Sequence, residues 1–250
     1  MATVTLRLHE QLWPLLARER RCESFEYDCA QQASAKHALE ALGVPHTEVE
    51  WLAVKGRPAG LDQRLRDGDL IEAWPRLATP PSGYLQQLRV WPLPSSSRFI
   101  ADAHLGGLAR LLRLAGFDTL YRQDYQDQEI ARLSASERRI ALTRDRELLK
   151  QRDIEYGCFV REQQPWSQLT ELLRRLQLAT AVRPFSLCLE CNVTLQQVER
   201  AAVLHSLPPA VQASQQHFTR CAQCDRIYWQ GSHWKRMRER LDAALASSLE

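Results

Sequence analysis

The chain has 250 residues, of which 44% are hydrophobic and 25% are charged, a balance typical of folded globular proteins. Its net charge of +3 is too small to indicate a polyanionic partner by itself, so local basic clusters must carry that argument. No apolar run approaches the roughly 18 residues of a membrane span, and the first residues lack a signal-peptide pattern. We therefore expect a cytoplasmic protein with no membrane partner.

The first 76 residues predict a small α+β domain. Val4, Leu6 and Leu8 alternate as in a half-buried strand, and a second strand is predicted around residues 25–27. A helix over residues 33–42 and two further strands follow. This ββαββ order resembles the ubiquitin-like β-grasp domains of the small sulfur-carrier type. The resemblance rests on Val54-Lys55-Gly56 and Leu65-Arg66-Asp67-Gly68-Asp69.

Sulfur carriers act through a free C-terminal Gly-Gly, which this segment does not have. The chain instead continues into Trp74-Pro75-Arg76. We therefore expect a binding or structural module, with a protein as its potential partner. The histidines of this segment, His9, His37 and His46, have no metal-ligand spacing, and we expect them to be solvated.

Proline and serine mark a linker after this module, in which Leu88-Arg89-Val90-Trp91 could add a strand. The predicted divisions are a β-grasp domain at 1–76, a linker at 77–97, a second domain at 98–180 and a C-terminal segment with four of the cysteines at 186–245.

Residues 98–180 alternate short apolar runs with helical segments. Strands are predicted at residues 99–101, 119–121, 140–143 and 157–160. Apolar residues from Leu105 to Ala115 fall on one helix face, and Gly116 is placed to end that helix. Strands that alternate with helices indicate βαβ units, and thus an α/β domain with a parallel sheet.

An acidic residue follows each of the first three strands. Asp102 follows the first, Asp124 and Asp127 follow the second, and Asp145 follows the third. The carboxyl ends of parallel strands meet at one sheet edge, where clustered carboxylates need a cation, and Mg²⁺ or Mn²⁺ suits such oxygen ligands. The alternative is that these aspartates are turn residues or helix N-caps.

Several segments here resemble the C-terminal RNase domain of the Mut-seven exonucleases, a PIN-like family. They are Phe99-Ile100-Ala101-Asp102, Leu108-Ala109-Arg110-Leu111-Leu112-Arg113, Gly116-Phe117-Asp118-Thr119 and Leu142-Thr143-Arg144-Asp145-Arg146-Glu147-Leu148.

The resemblance implies a metal-dependent ribonuclease whose partner is RNA. It places catalytic acids at Asp102 and Asp145. Asp127 fits the middle position best, with Asp124, Glu129 and Glu137 as rivals. Gly107 departs from the family, which often has lysine there, and this puts one phosphate contact in doubt.

Two alternatives remain open within this domain. Arg110 and Arg113 lie one turn apart and could contact RNA phosphates or solvate their helix, and Arg144 is a further candidate for the RNA surface. Asp102-Ala103-His104 also resembles the opening motif of metallophosphoesterases. The later histidine motifs of that class are missing, so we favour the nuclease.

Four of the seven cysteines form two C-x2-C pairs that are separated by 29 residues. Two such pairs predict a structural zinc site, closed to substrate because four thiolates fill the tetrahedron. The predicted ligands are Cys188, Cys191, Cys221 and Cys224. We expect the long spacer to hold a helix over residues 193–204. In the resembled family this ribbon follows the nuclease domain, as it does here.

Basic and aromatic residues interleave after the second cysteine pair. A helix that begins near His233 would place Trp234, Met237 and Leu241 on one face, and Lys235, Arg236 and Arg240 elsewhere. Such cations could neutralise RNA phosphates, or the helix could simply close the ribbon. The leading prediction is hydrolysis of RNA phosphodiesters, and the competing one is a non-catalytic RNA- or ribosome-binding adaptor.

Overall fold

The computed structural model describes residues 1–78 and 97–249, and it divides into two compact units. The first unit holds residues 1–78 and 126–159, and the second holds residues 97–125 and 160–249. The strand predicted at Leu88-Arg89-Val90-Trp91 lies outside the described residues. Within the described ranges, no helix combines the length and the apolar character that crossing a membrane requires.

The first unit begins with a mixed five-stranded sheet in the order β2-β1-β5-β3-β4. β1 and β5 run parallel, with Thr5 opposite Leu70, and the other pairs are antiparallel. This arrangement confirms the predicted β-grasp fold. Its elements are β1 (Ala2–Leu8), β2 (Phe25–Cys29), α1 (Ala35–Ala41), β3 (Trp51–Val54), β4 (Arg57–Pro58) and β5 (Leu70–Trp74).

Alternation in β1 and a capped helix explain how the β-grasp core forms. Val4 and Leu6 of β1 are fully buried, while Thr3 and Arg7 are exposed. Ser34 begins α1, because its hydroxyl accepts the His37 N–H at 3.1 Å. The buried face of α1 then packs its alanines and Leu39 into the same core.

The first unit also contains α3 (Asp127–Glu137), β8 (Ile140–Thr143), α4 (Arg146–Lys150) and β9 (Gly157–Phe159). β8 and β9 pair in parallel, with Ala141 opposite Gly157. These elements contact the β-grasp core directly. Phe159 packs against that core, and its N–H donates to Glu48 Oε1 at 2.8 Å. Arg146 donates to the Leu15 carbonyl at 2.7 Å.

His46 corrects one prediction, because it is 1% exposed and not solvated. Its Nδ1 lies 2.7 Å from Glu40 Oε1, and its Nε2 lies 3.0 Å from the Ile154 carbonyl oxygen. The second contact spans 108 residues of sequence. The ring is therefore held between α1 and the loop that precedes β9. His37, on α1, is exposed as predicted.

The second unit begins with a parallel pair of strands and a helix between them. Phe99 of β6 lies opposite Thr119 of β7 in a parallel pair, as the predicted βαβ unit requires. Gly116, with a φ of +92°, ends α2, and a Cβ there would collide with the Arg183 carbonyl. The elements are β6 (Phe99–Ala101), α2 (Gly106–Leu114), β7 (Thr119–Tyr121) and α5 (Pro165–Arg175).

The ribbon completes the second unit, around a small core of Val203, Leu207 and Phe218. The helix predicted over residues 193–204 is wrong in its first half, where a strand forms. Leu195 pairs with Cys221, so the partner strand that carries the second cysteine pair overrides local helical periodicity. The elements are β10 (Leu195–Val198), α6 (Arg200–Val203), α7 (Pro209–Ser214), β11 (Phe218–Cys221), β12 (Ile227–Trp229) and α8 (Ser232–Ser247).

Candidate functional site

The four cysteines of the C-x2-C pairs come together in the ribbon. All their sulfur atoms lie within 4.8 Å of one another, and Cys188 Sγ is 3.7 Å from Cys224 Sγ. A tetrahedral zinc ion with Zn–S bonds of about 2.3 Å holds its sulfurs about 3.8 Å apart. Cys188 and Cys221 are fully buried, and Cys224 is exposed. Both the donor set and the spacing fit one structural zinc ion.

The close packing of these thiols shifts the pKa of Cys188 and that of Cys191 in opposite directions. Burial, together with contacts to the neighbouring thiols, raises the pKa of Cys191 to about 12. Burial also raises the pKa of Cys188, but hydrogen bonds from the Tyr228 hydroxyl and the Cys191 N–H outweigh burial, so this pKa is lowered overall. The Tyr228 oxygen lies 3.2 Å from Cys188 Sγ. A divalent cation is what would allow all four thiols to be deprotonated together.

Arg113 ties the first cysteine pair to β7. Its guanidinium donates to the Thr119 carbonyl at 3.0 Å, to the Leu189 carbonyl at 3.0 Å and to the Glu190 carbonyl at 2.8 Å. The side chain is 5% exposed, and burial lowers its pKa. Both predicted roles of Arg113, a phosphate contact and solvation of α2, are therefore wrong, and its role is structural.

Sequence reasoning missed two residues around the cysteines. Asn192 Oδ1 accepts the Thr119 N–H at 2.9 Å, and its Nδ2 donates to Asp118 at 2.6 Å. Its φ of 62° lies in the left-handed region, where asparagine is favoured, so an Asn directly after C-x2-C was a usable signal. Tyr228, the second, gave no such signal, because its contact with Cys188 depends on the ribbon's folding.

Asp102 directly follows β6 and is 9% exposed. It precedes a 3-10 helix over Ala103–Leu105, but its side chain forms no cap hydrogen bond there. Its backbone carbonyl accepts the Leu105 N–H at 2.9 Å instead. The N-cap alternative thus does not account for this carboxylate.

Asp145 is an N-cap and remains suitable as a ligand. Its Oδ1 accepts the Glu147 N–H at 2.8 Å, which begins α4, and its own N–H donates to the buried Thr143 hydroxyl at 2.9 Å. Capping uses one carboxylate oxygen, and the other remains for a cation. Asp145 is exposed, so water and substrate can reach it.

The candidates for the middle acid differ in their surroundings. Asp124 forms a short ion pair with Arg122 at 2.6 Å, and that hydrogen bond lowers the pKa of Asp124. Glu137 pairs with Arg139 at 2.7 Å at the end of α3. Asp127 and Glu129 both lie in the first turn of α3.

The acids are distributed over both units, with Asp102 in the second and Asp127 and Asp145 in the first. Within residues 1–78 and 97–249, no three carboxylates lie as close to one another as the four cysteine sulfurs, which are all within 4.8 Å.

The candidate RNA-binding cations have different environments. Arg110 contacts Glu190, and Arg226 also pairs with that carboxylate at 2.9 Å. Arg144 is exposed beside Asp145. Gly107 leaves no room for the family's lysine, because its Cβ would lie 2.7 Å from Pro165 Cγ.

The C-terminal basic cluster lies on α8, and we call Lys235, Arg236 and Arg240 the α8 cations. All three are exposed. Arg240 also packs over the Trp166 ring at 4.7 Å. Trp234 stacks on Phe185 with ring centroids 4.7 Å apart. Trp234 therefore helps to anchor α8 to the ribbon, which is the structural role that the alternative interpretation of this helix expects.

Comparison with known families decides the affiliation. The family described as "Mut7-C RNAse domain" matches residues 97–241, more than half of the chain. This chain belongs to the Mut7-C RNase domain family. The family described as "Mut7-C ubiquitin" matches residues 1–79, so both resemblances drawn from the sequence are confirmed. Membership of the Mut7-C family indicates a nuclease-like function.

Two solved structures are similar to part of this Mut7-C chain. One is a putative molybdopterin converting factor subunit 1 from Pyrococcus furiosus, with 19% identity, 30% of this chain and 98% of that chain covered, and a TM-score of 0.25. The other is the small archaeal modifier protein 1 of H. volcanii, with 18% identity, the same coverage and the same TM-score. No curated protein matches the sequence.

Proposed function

We propose that this chain is a metal-dependent ribonuclease that hydrolyses RNA phosphodiester bonds. The observation that carries the proposal is its membership of the Mut7-C RNase domain family over residues 97–241. Asp102, Asp127 and Asp145 are the proposed ligands of Mg²⁺ or Mn²⁺, since they follow β6, begin α3 and begin α4. Carboxylate oxygens suit these hard cations.

The chain's own residues have distinct tasks in this proposal. The carboxylates hold the cation, and the bound ion would activate water and stabilise the charge that develops on the phosphate. Thr143 fixes the backbone at Asp145, and the N-cap bond orients its carboxylate. Arg144 and the α8 cations are proposed to bind phosphates. The four cysteines are proposed to hold one structural zinc, and the predicted domain boundaries remain part of the proposal.

The test replaces the acids without changing their shape. Asp145→Asn retains an N-cap, because asparagine caps a helix about as well as aspartate, so the variant loses charge and little stability. We expect Asp102→Asn and Asp145→Asn to lower Mn²⁺-dependent cleavage of RNA by more than about a hundredfold, since even outer partners of a metal ligand are worth 10–100-fold. Asp153→Asn, an exposed acid in the same unit as Asp145, is the matched control.

The competing function, an RNA- or ribosome-binding adaptor, makes an opposite prediction. A purified chain that binds RNA with full zinc content and yet cleaves none with Mg²⁺ or Mn²⁺ would be an adaptor. Wild-type cleavage by either Asp102→Asn or Asp145→Asn would instead contradict the assignment of that acid.

A further inference from the structure

A groove on the ribbon lies between its sheet and the start of α8. It encloses a volume of about 900 Å³, which is large for a small-molecule pocket. Strands β10, β11 and β12 form one side, and the first turns of α8 form the other. The groove belongs entirely to the second unit, and neither the four clustered cysteines nor the proposed catalytic acids line it.

The groove has aromatic walls that remain partly exposed. Phe185, Tyr228, Trp229 and Trp234 line it, and each is only half-buried. The absence of a side chain at Gly231 leaves room for the Trp229 ring, because a Cβ at this position would lie only 2.9 Å from Trp229 Nε1. Flat aromatic faces that are accessible from a groove can stack on unpaired bases, because every base has a π-face.

The charge of the groove selects a class of ligand. Its lining contains no aspartate or glutamate, whereas it contains His217, His233 and Arg238. Arg238 is ion-paired with the exposed Asp242 at 2.9 Å, so Asp242 balances its charge, and the basic side chain nearby that has no ion pair among the described residues is Lys235. Lys235 is exposed next to Trp234, on the flank of the same helix face. A ligand with an apolar, stackable part and a negative part complements these walls.

We propose that this groove binds an unpaired segment of RNA, with bases against its aromatic walls and phosphates toward Lys235. The inference deepens the proposed function, on which it rests, because it gives the ribbon the task of selecting single-stranded substrate. An apolar peptide would use the same walls without needing the cations or the absence of carboxylates.

Binding of a fluorescein-labelled oligouridylate of about twelve nucleotides tests this, because that length covers one single-strand site. Mg²⁺ and Mn²⁺ are left out of the buffer, so that the proposed hydrolysis cannot consume the probe. Trp229→Leu and Trp234→Leu should each weaken binding by about 5- to 150-fold, the usual loss of one stacked base, without changing the salt slope. Lys235→Ala should lower the slope by about 0.7. Trp51→Leu, a half-buried tryptophan of β3, is the control.

Two further measurements keep the proposal falsifiable if a groove variant folds poorly. RNA should protect Trp229 and Trp234 of the wild-type chain from hydroxyl-radical oxidation, while Trp51 stays equally reactive. An oligonucleotide with abasic positions should bind more weakly than the intact one. Unprotected tryptophans, equal binding of the abasic probe, or folded groove variants with wild-type affinity would each overturn the proposal and leave an apolar peptide as the occupant. None of these measurements requires cleavage. A chain that binds RNA in this groove but does not cleave it would therefore refute the nuclease proposal and leave the groove proposal intact.

Discussion

Replacement of His46 by leucine should loosen the link between the β-grasp sheet and the loop before β9. The imidazole is 1% exposed and contacts Glu40 and the Ile154 carbonyl. Each lost hydrogen bond costs about 1 kcal/mol, and a buried carbonyl left without a donor costs a further 1–3 kcal/mol or so. The total is about 3–5 kcal/mol, which corresponds to a fall in Tm of roughly 6–20 °C for a chain of this size.

Calorimetry and hydrogen exchange together check this estimate. His37→Leu is the matched control, since His37 is exposed on α1 and its replacement should change stability by less than about 0.5 kcal/mol. Amide exchange over residues 154–159 should accelerate in His46→Leu and stay unchanged in the control. If His46→Leu and His37→Leu have the same Tm, or if amides 154–159 of His46→Leu exchange at the wild-type rate, the packing argument for the first unit is refuted.

Three other predictions concern the second unit. Purified protein should contain about one zinc per chain by elemental analysis, because metal binding stabilises such ribbons, and Cys221→Ser should lose it; less than half an equivalent in the wild type would refute the site. Arg113→Met should lower the free energy of unfolding by about 2–4 kcal/mol in urea titrations, because one buried and two partly buried carbonyls lose a charged donor, whereas the exposed Arg110→Met should change it little. Neutralising the α8 cations together should reduce the salt dependence of RNA binding by up to about two units of slope, and an unchanged slope would make α8 only structural.

Local patterns predicted the elements of this chain well where the decisive information lies in neighbouring residues. The apolar run 99–101, the glycine after α2 and the C-x2-C spacings each identify a feature without long-range knowledge. The β-grasp prediction followed from the ββαββ order of residues 1–76, and the parallel strand pairs followed from strands that alternate with helices. The position of each acid relative to a strand or helix was also predictable from the sequence.

Errors arose where a residue's partner is distant in sequence. His46 meets Ile154 across 108 residues, and Arg113 meets Glu190 across 77, so neither burial could be inferred locally. A lone histidine or arginine with no motif gives no hint of such a contact. The segment at 195–198 forms a strand for the same reason, because its paired residues in β11 lie 20 to 26 residues further along the chain.

Recombination between related genes would expose how closely the first unit is integrated. A chimera that takes residues 1–78 from one relative and the remainder from another must preserve the contacts of Glu48 with Phe159 and of Leu15 with Arg146. Those contacts join residues encoded on both sides of the linker. Exchange at that boundary would therefore separate residues that contact one another, and we expect such a chimera to be less stable than either parent.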